Sequence, residues 1–234
     1  MEYIVDLLTN LHWAAVGQII LIDILLGGDN AIVIALACRN LPPELRNKGI
    51  FWGTTGAILL RILLVSLAVL ILDLPFLRFV GGLLLLWIGM KLLVPEAESD
   101  EEVKGSTQLW GAVKTIIVAD FIMSLDNVIG ISGAVMGAHE DHQTILIIFG
   151  ILVAVPFIVF GSQVILKIIE RFPIIVYFGA GLLGWIGGSM IISDNYLVKH
   201  VPGIVDDWHY PASIICAVIV IVVGALWGKS RRGA

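Results

Sequence analysis

Charge is what this chain has least of: Asp, Glu, Lys and Arg make up 14% of its 234 residues, against 59% that are hydrophobic. With a mean hydropathy of +1.00, a soluble domain of ordinary make-up is excluded and the bilayer has to be the solvent. Basic residues are missing before Arg39 and no basic stripe follows, so nothing points to nucleic acid as a partner. Cysteine is nearly absent as well. Cys38 and Cys216 lie in or near separate apolar runs, too few for a disulfide framework. No G-x4-G-K-[ST] loop is present to hold a nucleotide. The first apolar run is too long for a signal-peptide core, so Met1 onward reads as mature protein.

What is present is a set of long apolar segments. A helix needs about 20 largely apolar residues to cross the hydrocarbon core, and seven segments qualify: 12–38, 49–72, 76–94, 109–137, 143–166, 173–193 and 211–228. The expected fold is all-α, a polytopic membrane protein of seven transmembrane helices. Of the 14 basic residues, eleven fall on one predicted face: Arg39, Arg46, Lys48, Lys91, Lys104, Lys114, Lys167, Arg171, Lys229, Arg231 and Arg232. The other face has Arg78 and Lys199, and Arg61 lies within the second segment. The positive-inside rule then predicts an external N-terminus and a cytoplasmic C-terminus.

The stretch Pro95–Thr107 is the only long polar interruption, with five clustered acids, and reads as a mobile cytoplasmic linker. It separates residues 1–94, a first three-helix repeat, from residues 109–193, a second one, with residues 95–108 between them. Residues 194–234 supply an outer loop, an uncharged seventh helix that packs peripherally, and a cytoplasmic tail. An odd number of spans per copy makes the second copy enter the membrane from the opposite side. The two halves are therefore expected to be inverted repeats, an architecture common among secondary transporters. Small residues recur four apart, as in Gly53-Thr54-Thr55-Gly56-Ala57, and are read as helix packing without chemistry.

The repeat carries its own polar signature. Asp23, Asp29 and Asn30 return 97 residues later as Asp120, Asp126 and Asn127, each set inside an apolar run. A charge there costs several kcal/mol, roughly 3 on insertion scales, so it must be neutralised, paired or used. Residues six apart on a regular helix sit about 120° apart, so Asp29 and Asn30 are the better candidates for direct ligands, with Asp126 and Asn127 completing the set. Gly27-Gly28 is a cheap place to break the helix and free carbonyls, Gly28 among them, as ligands. The equivalent pair is Ser124-Leu125, where the Ser124 hydroxyl is an accessory candidate.

Carboxylate, amide and carbonyl oxygens suit Mg²⁺, Ca²⁺ and Mn²⁺, and no His or Cys adjoins the motifs to favour zinc or copper. Met123 is a soft candidate that would tilt selectivity toward Mn²⁺, although an isolated Met more often fills a core. Four aspartates against one Arg61 cannot all stay ionised, so Asp23 or Asp120 is expected to take up a proton when metal leaves. Arg61 either neutralises the empty site, acts as a gate, or forms a purely structural ion pair; the fifth segment has Pro156 interrupting the helix instead. All five histidines fall on the outer side, where His139-Glu140-Asp141-His142 reads as a solvated loop, with metal collection the less favoured alternative. Asp194, Asp206 and Asp207 add to an acidic outer surface.

These Asp-Asn phrases, the stretch Cys38-Arg39-Asn40-Leu41-Pro42, and the Trp87 and Trp185 segments resemble the TerC family of bacterial integral membrane proteins, more narrowly its YjbE/YkoY branch. The resemblance covers nearly the whole chain, with the paired Asp-Asn motifs its most specific part. It implies an Mn²⁺ exporter of the LysE-type superfamily in the bacterial inner or plasma membrane, with Asp29, Asn30, Asp126 and Asn127 as ligands. The transported ion is then the one inorganic partner and no organic cofactor is implied. Export of a divalent cation works against about 4.6 kcal/mol per 100 mV, which points to proton exchange. Two other readings are efflux of an amino acid or other small solute, and an intramembrane aspartyl hydrolase using Asp29 and Asp126. A homo-oligomer, and a hand-off of metal to exported metalloproteins, are both compatible with the sequence.

Overall fold

The computed structural model describes residues 28–66, 74–94, 101–135 and 140–232. Within these, residues 65–66, 101–106, 126–135, 140–147, 202–206 and 232 are described as backbone alone. The described residues are helical throughout, with no strand. They form α1 (Gly28–Cys38), α2 (Pro43–Ser66), α3 (Leu77–Leu93), α4 (Glu101–Val135), α5 (Glu140–Arg171), α6 (Ile175–Ile192), the short α7 (Asn195–His200) and α8 (Pro202–Arg232).

Among the described residues four stretches are long and apolar enough to cross a membrane: Thr107–Leu125, Ile148–Arg171, Ile175–His200 and Asp207–Arg231. The other expected spans correspond to α1, α2 and α3. Residues 12–27 lie outside the described set, α2 carries Arg46, Lys48 and Arg61, and α3 has only 17 residues. Several boundaries differ from expectation. α4 already begins at Glu101, so part of the stretch read as a linker is helix. Glu140, Asp141 and His142 belong to α5 rather than to a loop, and Pro156 sits inside α5 without ending it. Pro211 is likewise internal to α8, which starts at Pro202.

α1 is the hub. Its sequence is apolar on every side after Asn30, and accordingly nearly every residue from Asn30 to Cys38 is buried. Ile34 and Cys38 pack in a cluster with Ile50 and Ala57 of α2 and Ile116 of α4. Val33 joins Leu64, Leu85, Ile122 and Leu183, and Leu36 joins Leu93, Leu166, Val176 and Val220. Around this hub α2 packs on α4, α3 on α6, and α8 on both α3 and α6. The α3–α6 crossing is close because glycines line it. A Cβ added at Gly82 would lie 2.5 Å from the Gly187 carbonyl, and one at Gly89 would lie 3.2 Å from the Ala180 carbonyl.

Hydrogen bonds tie the two ends of the bundle separately. At one end Arg39 donates to the Leu92 carbonyl (2.8 Å) and Arg46 to the Leu41 carbonyl (3.0 Å), while Arg46 also pairs with Glu170. At the other end Arg78 donates to the Ser193 carbonyl (3.1 Å), and the Phe79 and Tyr196 amides donate to Asp194. Asp194 is thus no member of an acidic outer surface: at 1% exposure it caps α7 and anchors α3. Phe76, with φ of 61°, stacks on Tyr196 at 4.4 Å, and Tyr196 stacks in turn on His200. The outer helix faces carry exposed apolar side chains such as Phe160, Phe178 and Leu226, as a lipid-facing surface requires.

The α6–α8 contact yields a test. A Cβ at Gly184 would meet the Ala217 backbone at 2.7 Å, where nothing flexible can yield, whereas one at Gly111 meets nothing within 4 Å. Gly184→Ala is expected to destabilise by about 1–3 kcal/mol. Gly111→Ala should be neutral or stabilising by up to about 1 kcal/mol. Thermal unfolding of the detergent-solubilised protein measures both.

Candidate functional site

The polar signature of the first half opens α1. Gly28 is exposed and helical, and a Cβ there would touch nothing within 4 Å. Gly27 and Asp23 lie outside the described residues. Asp29 is half-buried, and its Oδ1 accepts a 2.7 Å hydrogen bond from the Asn30 amide nitrogen. Asn30 is 3% exposed, and among the described residues neither its Oδ1 nor its Nδ2 has a partner. An unmade hydrogen bond at a buried polar group costs about 1–3 kcal/mol, so a pair of orphan amide atoms on the central helix demands an explanation.

Opposite lies a saturated cluster. Arg61 of α2 donates through Nη2 to Asp120 Oδ1 at 2.6 Å and through Nε to Ser124 Oγ at 3.0 Å. Ser124 Oγ donates to Asp120 Oδ2 at 3.1 Å. Arg61, Asp120 and Ser124 are 3%, 7% and 0% exposed. Spacing of i and i+4 puts Asp120 and Ser124 on one face of α4, so the guanidinium fork meets both at once. Asp29 feels the attraction of Arg61 and the repulsion of Asp120, which brings the first-half and second-half aspartates into one electrostatic neighbourhood.

The expected residues therefore separate. Asp29, Asn30, Arg61, Asp120 and Ser124 converge in the interior, and Asp120 is committed to Arg61 and Ser124. Asp126 and Asn127 are described as backbone only, within an α4 that runs unbroken past Ser124-Leu125, so no backbone break frees carbonyls there. By helix register, position 127 returns to the face of Asp120 and Ser124, while 126 turns about 120° away. Met123 fills the core beside Leu85, Ile122 and Met190. Among the described residues no group of three or more His, Cys, Asp or Glu assembles.

One residue escaped the sequence reading. Thr54 of α2 is 3% exposed and its hydroxyl has no partner among the described residues. It lies seven residues from Arg61, about 10 Å along the helix toward the Arg39 end. Its signal was a hydroxyl inside the small-residue run, which was read as packing alone. Cys38 and Cys216 are free thiols.

The Arg61–Asp120 pair makes a stability prediction. Asp120→Leu leaves an uncompensated guanidinium at membrane depth and is expected to cost about 3–5 kcal/mol. Arg61→Met combined with Asp120→Leu should recover most of that loss, because an apolar pair of similar volume replaces the ions. Unfolding of the wild type, the double variant and both single variants in micelles, compared as a double-mutant cycle, measures the difference.

Comparison with known proteins agrees with the resemblance. The chain is 46% identical over 176 residues to Bacillus subtilis (strain 168) YjbE, named as an uncharacterized membrane protein, covering 75% of this chain and 78% of YjbE. It is 30% identical over 207 residues to the Escherichia coli (strain K12) UPF0053 inner membrane protein YgdQ, covering 81% of this chain and 84% of YgdQ. It is 30% identical over 210 residues to the UPF0053 protein YegH of the same strain, where 82% of this chain spans only 38% of the relative's length. No solved structure matches. The family model described as integral membrane protein TerC family matches residues 8–233, and on that coverage the chain belongs to the TerC family.

Proposed function

We propose that this protein exports a divalent metal cation, Mn²⁺ foremost, across the bacterial inner membrane in exchange for protons. The observation that carries the reading is the Asn30 amide: buried, without a partner at either polar atom among the described residues, and next to the Asp29 carboxylate. An amide oxygen and a carboxylate oxygen are hard ligands. An ion that binds them supplies the missing partner and removes the cost of leaving the amide unsatisfied. Asp126 and Asn127 complete the ligand set in this reading, as the second copy of the same signature.

The mechanism is alternating access between inverted repeats, which three-span halves and an unpaired eighth helix support. The α3–α6 crossing supports it independently. At the 98-residue offset of the Trp87 and Trp185 segments, Gly82 corresponds to Ala180 and Gly89 to Gly187. Exchanging the copies turns the Gly82–Gly187 contact into the Ala180–Gly89 contact, and both are close. A pseudo-twofold axis through that crossing has this property. Orientation rests on the basic residues. Arg39, Arg46, Lys91 and Arg231 gather at the end where α1 finishes, which supports a cytoplasmic assignment for that end and for the C-terminus.

The site predicts opposite effects on fold and on function. Asn30→Leu, similar in size but with no polar atom to satisfy, should leave the metal-free protein as stable as wild type or about 1 kcal/mol more stable. It should also abolish the rise in melting temperature that Mn²⁺ gives the wild type. Asp29→Ala and Asp126→Ala should each abolish Mn²⁺ flux into proteoliposomes, and flux in the wild type should respond to an imposed pH gradient. Retention of Mn²⁺ stabilisation by both Asp29→Ala and Asn30→Leu would remove the site from the account.

A further inference from the structure

At the Arg39 end of the bundle, well away from the aspartates, the structure holds a cleft of about 280 Å³. It lies between the end of α1, the last turns of α3, the first turns of the apolar part of α4 and the end of α8. Asn40, on its wall, is ten residues from Asn30, so the cleft is about 15 Å from the ion site along the α1 direction. Among the described residues its lining carries two cations, Lys91 and Arg231, and no acidic residue. Asn40 and Gln108 add amides, Trp87 and Trp227 add indoles, and the remaining wall is largely leucine, alanine and valine.

Each component selects something different in a ligand. Two cations in one cleft call for an anion. The Lys91 ammonium is already held over the Trp87 ring, 5.4 Å from its centroid, with the stem of the side chain along the apolar wall. Trp87 is 50% exposed and Trp227 38% exposed, and both point out of the bundle where acyl chains would run. Indoles occupy the boundary between hydrocarbon and headgroups, and basic pockets between membrane helices at the cytoplasmic surface take acidic headgroups. A soluble anion would gain nothing from the apolar wall or the indoles, whereas an amphiphile uses every part.

We propose that this cleft is a binding site for an anionic phospholipid of the inner leaflet. The phosphate sits between Lys91 and Arg231, Asn40 and Gln108 face the glycerol and ester oxygens, and an acyl chain leaves between Trp87 and Trp227. The site ties the ends of α1, α3, α4 and α8 together from outside the protein. It is independent of ion transport and would stand if the metal reading fell.

Native mass spectrometry of the full chain, delipidated in a neutral detergent and titrated with phosphatidylglycerol, phosphatidylcholine or inorganic phosphate, tests it. Phosphatidylglycerol is expected to saturate one site in the wild type, with phosphatidylcholine and millimolar inorganic phosphate giving no saturable adduct. Lys91→Gln combined with Arg231→Gln should weaken phosphatidylglycerol binding at least about tenfold, at roughly 1 kcal/mol per cation. Lys114→Gln combined with Lys167→Gln, the same charge change on exposed residues outside the cleft, should leave it unchanged. Melting temperature without lipid checks that both double variants fold, and the single variants should each lose part of the affinity. Equal losses in the two double variants would overturn the site in favour of diffuse surface charge. Saturation by inorganic phosphate that depends on Lys91 and Arg231 would overturn the lipid in favour of a soluble anion.

Discussion

A guanidinium keeps its proton at any pH a protein meets, so the presence of Arg61 in the middle of an apolar helix dictates much of what surrounds it. A carboxylate has to face it, the remaining donors need acceptors, and the helices carrying those groups must be held in register. Asp120 and Ser124 meet the first two requirements from one face of α4. The third explains why the α2–α4 interface is lined with glycine on the α2 side. Gly53 abuts Ile116 and Gly56 abuts Ile117, both about two turns before Ser124, so the two helix axes come close enough for the fork to reach. Ion pair and small-residue seam are two halves of one solution, since neither a longer approach nor a misaligned turn would leave both bonds intact.

α1 plays the complementary part. It contributes no charge to its own packing after Asn30 and instead contacts its neighbours all round, with Ala31 beside Gly161 and Leu36 beside Gly179. A helix clamped on every side is a rigid support, and it carries its polar atoms only at the end that faces the Arg61 cluster. The result is a site in which one side is internally satisfied and the other is not. Among the described residues Asn30 is buried with no partner, a cost that the ion of the proposed reading would remove.

Much of this was legible beforehand because the bilayer leaves few options. Apolar length pointed to the helices, and the duplicated Asp-x5-Asp-Asn phrase pointed to Asn30 and Asp120, both of which are buried. What stayed hidden depended on three-dimensional partners. Nothing in the sequence linked Arg61 to Asp120 rather than to Asp23, Asp29 or Asp126, because a lone cation among four acids has no preferred address until the helices pack. Asp194 was read as solvated because loops are polar, yet its two caps needed the α3 N-terminus nearby. Pro156 was read as an interruption; within a long helix, neighbouring helices can accommodate the lost hydrogen bond. Thr54 was hidden because a hydroxyl in a glycine-alanine run looks like one more small side chain.

The asymmetry between the halves bears on the direction of transport. Under the proposed twofold arrangement, inward-open and outward-open states are related by exchanging the repeats, so identical halves would hold an ion with equal strength on both sides. This chain breaks that equality at one position. At the 97-residue offset of the aspartates the counterpart of Arg61 is Ile158, buried in an apolar cluster with Ile34 and Ile116. Asp120 is neutralised by its own arginine, while the residue in the place of Arg61 in the other half brings no charge. The two access states then present the ion with different local charge. In the proposed exchange the protons drive the cation against the membrane potential, and unequal holding of the ion in the two states sets on which side it is released more readily. A guanidinium carried by one half and replaced by isoleucine in the other is a physical source of that unequal holding.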